Sequence, residues 1–192
     1  MFATGLLGIT FARMGRFEEA AISLRRAINL QPDNTFVLGN LSIIYLYLKQ
    51  YDEMIATCQQ EIKIADGHDA RRMLGYVYAH LGRHDEAVQQ LERAITLEPQ
   101  DYEARGALAR AYRAAGREQE ADEQYALARE SAYQDNEYGQ ACFEAVSGNF
   151  EQALTLLEIA LTKGQVQPGW ARIDPEFAFM TDYPQFKALL QE

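Results

Sequence analysis

A seven-residue phrase recurs along the chain, and its spacing constrains the fold more than any other feature. It runs MGRFEEA at 14–20, LKQYDEM at 48–54, LGRHDEA at 81–87, AGREQEA at 115–121 and SGNFEQA at 147–153. Successive copies lie 34, 33, 34 and 32 residues apart. Self-similarity at such a period is the mark of stacked repeats, each touching only its neighbours. Each phrase separates two stretches with apolar residues at helical spacing. The glycine in its second slot (Gly15, Gly82, Gly116, Gly148) suits the left-handed residue that ends a helix. The acidic residues that follow suit the first turn of the next helix, where backbone N–H groups lack partners. The unit is therefore a helical hairpin, and the chain is all-α.

The residues around the phrase resemble the tetratricopeptide repeat, a 34-residue helix–turn–helix. In the first unit Leu7, Gly8, Phe11, Ala20, Leu24, Ala27 and Pro32 fall on its pattern, with Thr4 where Trp is preferred. The third unit supplies Leu74, Gly75, Tyr78, Ala87, Leu91, Ala94 and Pro99. The fourth supplies Leu108, Ala109, Tyr112, Ala121, Tyr125 and Ala128, without the proline. The resemblance implies a right-handed α-solenoid of about five such repeats over residues 1–162. The units lie near 1–34, 35–67, 68–101, 102–133 and 134–162, and 163–192 form a loop and a short helical C-terminal cap. Small residues at Gly8, Ala20 and Ala27 let paired helices approach, and Pro32 and Pro99 stop the second helix.

Two units depart from the pattern. The second has Lys49 in the turn-glycine slot, and Met54, Cys58 and Glu61 at later signature positions. A left-handed non-glycine residue costs roughly 1 kcal/mol, so a looser unit is expected there. The fifth has Gln140 and Glu144 where Leu and Tyr are usual. Beyond residue 162, Asp174-Pro175 and Pro184 each start a short helix. This stretch resembles the tail of many bacterial tetratricopeptide arrays, in which a doubled D-P-x-F phrase ends in Leu-Leu. Trp170, Phe177, Phe179, Phe186 and Leu190 are expected to cover the second helix of the fifth unit as a lid. At the front, Met1 has no capping residue ahead of it, and Phe2, Leu6 and Ile9 leave the first helix apolar on more than one side. That predicts either a chain cut from a longer array or a first helix that docks elsewhere, self-association included.

Chemistry is sparse. No dinucleotide, P-loop, zinc-protease or nucleophile-elbow motif occurs, and no C-x-x-C. His80 and His84 have metal-like spacing, but Gly82 between them puts them on different helices. Cys58 falls at a core position, and Cys142 lacks a histidine partner, so neither is expected to be a nucleophile. No enzyme activity, cofactor or metal is expected. The net charge of −10 argues against nucleic acid as a partner. No segment is apolar for the roughly 18 residues of a membrane span. Two cysteines make no disulfide framework, which suggests a reducing, cytoplasmic setting.

In the resembled family the first helices line a concave groove. Carried over by position, this implies Phe36, Asn40, Ile43 and Tyr47 in the second unit, Arg72, Tyr76 and His80 in the third, and Arg110 and Arg113 in the fourth. Gly39, Gly106 and Ala107 are expected to leave room for a ligand backbone. The expectation is a non-catalytic scaffold or adaptor that binds a protein or peptide carrying acidic and apolar groups. The alternative is a regulatory or recruiting repeat region of a larger multidomain protein such as a kinase, cyclase or glycosyltransferase. The carboxylate-clamp residues of chaperone-tail binders are missing. Of the positions Gly5, Ile9, Asn40, Asp69 and Met73, only Asn40 matches.

Overall fold

A computed structural model describes residues 2–190, with side chains from Gly5 onward, so Met1, Phe2 and Thr4 lie outside what is described of the side chains. Ten helices run as antiparallel pairs: α1 (Phe2–Arg13) with α2 (Phe17–Leu30), α3 (Thr35–Tyr47) with α4 (Tyr51–Ile64), α5 (His68–His80) with α6 (His84–Leu97), α7 (Tyr102–Ala114) with α8 (Glu118–Ala132), and α9 (Glu137–Ser147) with α10 (Phe150–Thr162). The tail adds α11 (Pro168–Ala171), a 3-10 helix (Pro175–Met180) and α12 (Pro184–Leu189). The described residues contain no strand, and the fold is an all-α solenoid.

The turn inside each pair is built the same way every time. Gly15, Gly82, Gly116 and Gly148 have φ of 74°, 73°, 74° and 89°. The next residue's N–H then reaches back to a first-helix carbonyl. Arg16 donates to Phe11, Arg83 to Tyr78 and Arg117 to Tyr112, each at 2.9 Å, and Asn149 donates to Glu144 at 2.8 Å. These close otherwise unpaired helix-end carbonyls. Lys49 takes φ 56°, and Gln50 donates to Tyr45 at the same 2.9 Å. The looser second unit expected from Lys49 is thus not observed at its turn. In three turns the arginine after the glycine lies over the aromatic ring of the preceding helix: Arg16 over Phe11, Arg83 over Tyr78 and Arg117 over Tyr112. The same arginines pair with Glu19, Glu86 and Glu120, so the acidic first turn serves its own hairpin.

Side-chain caps start α3, α7 and α9, where Asn34, Asp101 and Asn136 accept from Val37, Ala104 and Gly139. Within a pair the helices close on glycine. A Cβ at Gly75 would sit 2.4 Å from Leu91, so no larger residue fits without movement. Signature alanines such as Ala20, Ala87, Ala121 and Ala153 are fully buried.

The fifth pair departs from regular stacking. Its first helix, α9, packs more on α7 than on α8. A Cβ at Gly106 would lie 2.6 Å from Ser147 Oγ and 3.0 Å from the Phe143 ring. The small residue at Gly106, expected to admit a ligand, instead admits α9. Gly39 faces the Glu61 carboxylate, 3.6 Å from where its Cβ would be. Glu144, which replaces the usual tyrosine, is buried and accepts from Tyr133 Oη at 2.7 Å, Asn149 Nδ2 at 2.6 Å and Tyr125 Oη at 3.2 Å. A buried carboxylate is tolerated there because its lone pairs are satisfied.

Candidate functional site

The first helices of the pairs line the concave face, and the tail runs along it. The expected lid forms only in part. Phe177, Met180, Phe186 and Leu190 do join α9 and α10 in one apolar cluster with Cys142, Leu156 and Leu157. Ile173, Ala178 and Phe179 instead join the main core of the array. Trp170 leaves the lid for the far end, where the Arg13 guanidinium stands over its ring. Residues 172–182 therefore form a strap across the groove.

The strap is held by every first helix. At the α1 end, Arg172 donates to the Arg13 carbonyl at 3.1 Å. On α3, Tyr47 Oη donates to the Asp174 carbonyl at 2.7 Å, while its ring stacks on Phe17 at 4.9 Å. On α9, Tyr138 donates to the Asp174 carboxylate, with Cys142 Sγ 3.9 Å away. On α5, Tyr76 Oη donates to Glu176 at 3.4 Å, and Arg72 stands 3.5 Å from the same oxygen. His80 stacks on Phe179 at 4.6 Å and 17°, with Tyr51 Oη 3.0 Å from its Nε2. On α7, the Arg110 guanidinium lies 5.8 Å from the Phe179 ring. After α3, Lys49 pairs with Asp182 at 2.7 Å.

The nine residues expected in the groove thus divide. Tyr47, Arg72, Tyr76, His80 and Arg110 converge on the strap. Phe36, Asn40 and Ile43 line an open cleft of about 410 Å³ beside it, floored by Met73 and bounded by Pro175 of the strap. Phe36 is 63% exposed, and Asn40 donates back to the Phe36 carbonyl at 2.7 Å. Arg113 stands apart and turns to its own pair, 3.5 Å from Asp122 and 3.7 Å from Glu118. Arg110 and Arg113 share a helix but not a site: Arg110 turns to the Phe150 and Phe179 rings, and Arg113 to the carboxylates of its own hairpin.

Electrostatics at the centre is one-sided. Arg72 is within 3.1–3.5 Å of Asp69, Asp101, Glu103 and Glu176, so its charge is already engaged by the chain's own carboxylates. Burial pushes Glu176 well above the ordinary carboxylate range, and Asp174 adds to the push. Burial likewise raises Glu103 to about 7. Glu61, at the cleft, is raised to about 7 by burial and by Asp69. Burial, with Arg110 and Lys49 nearby, holds His80 below its usual value. Tyr47 and Tyr76 stay protonated donors, because burial disfavours their anions.

The cysteines have no nucleophile's surroundings. Burial raises Cys58 to about 12, and burial beside Asp174 raises Cys142 well above its ordinary value. No group of three or more His, Cys, Asp or Glu is arranged to hold a metal among the described residues. No described helix is long and apolar enough to cross a membrane. The tail's place in the groove was not anticipated from the sequence. The signal was there in Ile173 and Phe179, apolar residues on the tail beyond those the end cap uses.

Residues 5–34 and 78–142 each match a model of the tetratricopeptide repeat. The fold is similar to solved structures of MamA. One, of MamA from MSR-1, is 27% identical with a TM-score of 0.59, covering 67% of this chain and 74% of that one. Another, of MamA from AMB-1, is 27% identical with a TM-score of 0.60, covering 67% and 77%. A third, of MamA residues 41 to the end from Desulfovibrio magneticus RS-1, is 17% identical with a TM-score of 0.63 over 69% and 75%, a likeness of fold alone. No curated protein sequence matches the chain.

Proposed function

Because this chain belongs to the tetratricopeptide-repeat family, we propose that it is a non-catalytic protein–protein interaction scaffold that seats a partner segment on its concave face. One observation carries the reading: a segment of the chain itself, wound in part as a 3-10 helix, already lies in that groove, held by the Arg13 carbonyl of α1 and by side chains of the other four first helices. The surface therefore has the shape and the hydrogen-bond donors to grip a peptide. Phe36, Asn40 and Ile43 line the accessible edge at which a partner enters. Phe36 is the anchor on this reading, since a large exposed aromatic beside a cleft is the kind of side chain that dominates binding energy. Two buried, unpaired thiols fit a reducing, cytoplasmic setting.

The test is to pan a displayed peptide library against the full chain and map the binders by hydrogen exchange. Protection on α3 and α5, lost in Phe36→Ala, is the expected result. Binders that protect only the second helices overturn the reading. Leu6, Leu7 and Leu30 are 58%, 46% and 62% exposed, which favours a second reading in which the α1–α2 end recruits a further domain or protein.

A further inference from the structure

The strap carries an awkward residue. Glu176 is 8% exposed and sits where charge of its own sign already dominates. Asp174 precedes it on the strap, Glu103 faces it from α7, and Asp69 and Asp101 hold the same arginine it pairs with. The guanidinium of Arg72 stands among them all, and the other groups facing Glu176, the Tyr47, Tyr76 and Tyr138 hydroxyls and the Cys142 thiol, bring no positive charge. A carboxylate there accepts one long hydrogen bond from Tyr76 and shares its cation with three other acids. An amide of the same shape accepts from Tyr76 and donates to a neighbouring carboxylate, and it brings no charge into a buried site. Phe179, three residues on, fits well by contrast, stacked on His80 with Arg110 close to its face.

We propose that residues 173–180 hold the place of the partner, and that the segment this groove recognises carries an uncharged hydrogen-bonding side chain where the strap has Glu176 and an aromatic ring where it has Phe179. Such a segment displaces the strap because it keeps the aromatic contact and avoids the cost of burying or neutralising a carboxylate among other acids. The strap then acts as a weak internal competitor, which stops the groove from accepting apolar segments at random. This rests on the scaffold reading and adds to it the chemistry of the partner and its control.

The experiment uses two synthetic peptides spanning residues 172–183, one natural and one with Glu176→Gln, titrated against the full chain at pH 7.5. Hydrogen exchange follows the strap amides of Phe177 to Met180. The substituted peptide is expected to bind about tenfold or more tightly than the natural one and to strip protection from the strap. At pH 5.5 the gap narrows, because taking up a proton on binding costs less as the pH nears the free carboxyl's ordinary pKa of about 4.3. The full-length Glu176→Gln variant holds its own strap harder and takes the substituted peptide about tenfold less well. Should that variant fold poorly, Phe179→Ala loosens the strap without altering charge. It raises the affinity of both peptides and preserves their ratio. Equal affinities, no binding by either peptide, or binding with the strap still protected overturns the proposal. Panned peptides that protect α3 and α5 with the strap in place leave the scaffold reading standing and defeat this one. A groove that no peptide protects defeats both.

Discussion

The guanidinium of Arg13, at the end of α1, lies 4.2 Å from the ring centre of Trp170, and the Arg13 carbonyl accepts from Arg172. The first hairpin and the tail therefore hold one another, and the array closes on itself. Trp170 is 47% exposed, so the contact contributes about 0.5–1 kcal/mol. In Trp170→Ala, amide exchange at Met14 and Gly15 should quicken while α5 and α6 stay unchanged. Uniform exchange across the chain would show instead that the two ends are not coupled.

The charge at the cleft predicts a pH-dependent variant. Glu61 is raised to about 7 in the folded chain, so folding favours its protonated form. Its penalty is absent below about 4.5 and complete above about 7. Glu61→Gln should match the wild type near pH 4.5 and exceed it by about 1–2 kcal/mol at pH 8, after allowance for screening by water. Thermal melts across that range read the difference. A gap that shrinks as pH rises contradicts the assignment.

At the crossing of α7 and α9, Gly106→Ala should destabilise by about 1–3 kcal/mol. The added methyl meets the Phe143 ring and Ser147 Oγ, which are already buried. A loss confined to α9 and α10 in hydrogen exchange is the expected pattern. An unchanged denaturation midpoint means that α9 has room to move off α7.

Glu144 accepts from three side chains on two elements. Glu144→Ala leaves those donors to water and opens a gap beside Phe143, at a cost of about 2–4 kcal/mol. Chemical denaturation measures it. A near-neutral substitution would mean that the tyrosines hold their places through stacking alone.

Cys142 reports on the strap. Its thiol is 5% exposed beneath Asp174, and burial with that carboxylate suppresses the thiolate. Alkylation should be slow in the native chain and at least several-fold faster in Phe179→Ala, while Cys58 stays inert in both. Equal rates at Cys142 would show that the strap does not guard it.

The hairpins were legible in the sequence because they are local. A glycine sign reversal, an acidic first turn and alanines at a fixed period act within one 34-residue window, and each has the same physical effect in every copy. Even Lys49, the exception, takes the geometry its neighbours impose. The shared face of the first helices was also legible, since position along a helix sets which way a side chain points, although Arg113 turns to its own hairpin. What they meet was not. That Arg72 spends its charge on four carboxylates, that Gly106 admits α9, and that Glu176 and Phe179 lie in the groove depend on contacts up to about 100 residues apart in the chain. The pairings with the tail follow from the curvature of the stacked array, which returns the tail to the first helix. The curvature is a sum over all five pairs, and only the assembled tertiary structure decides it.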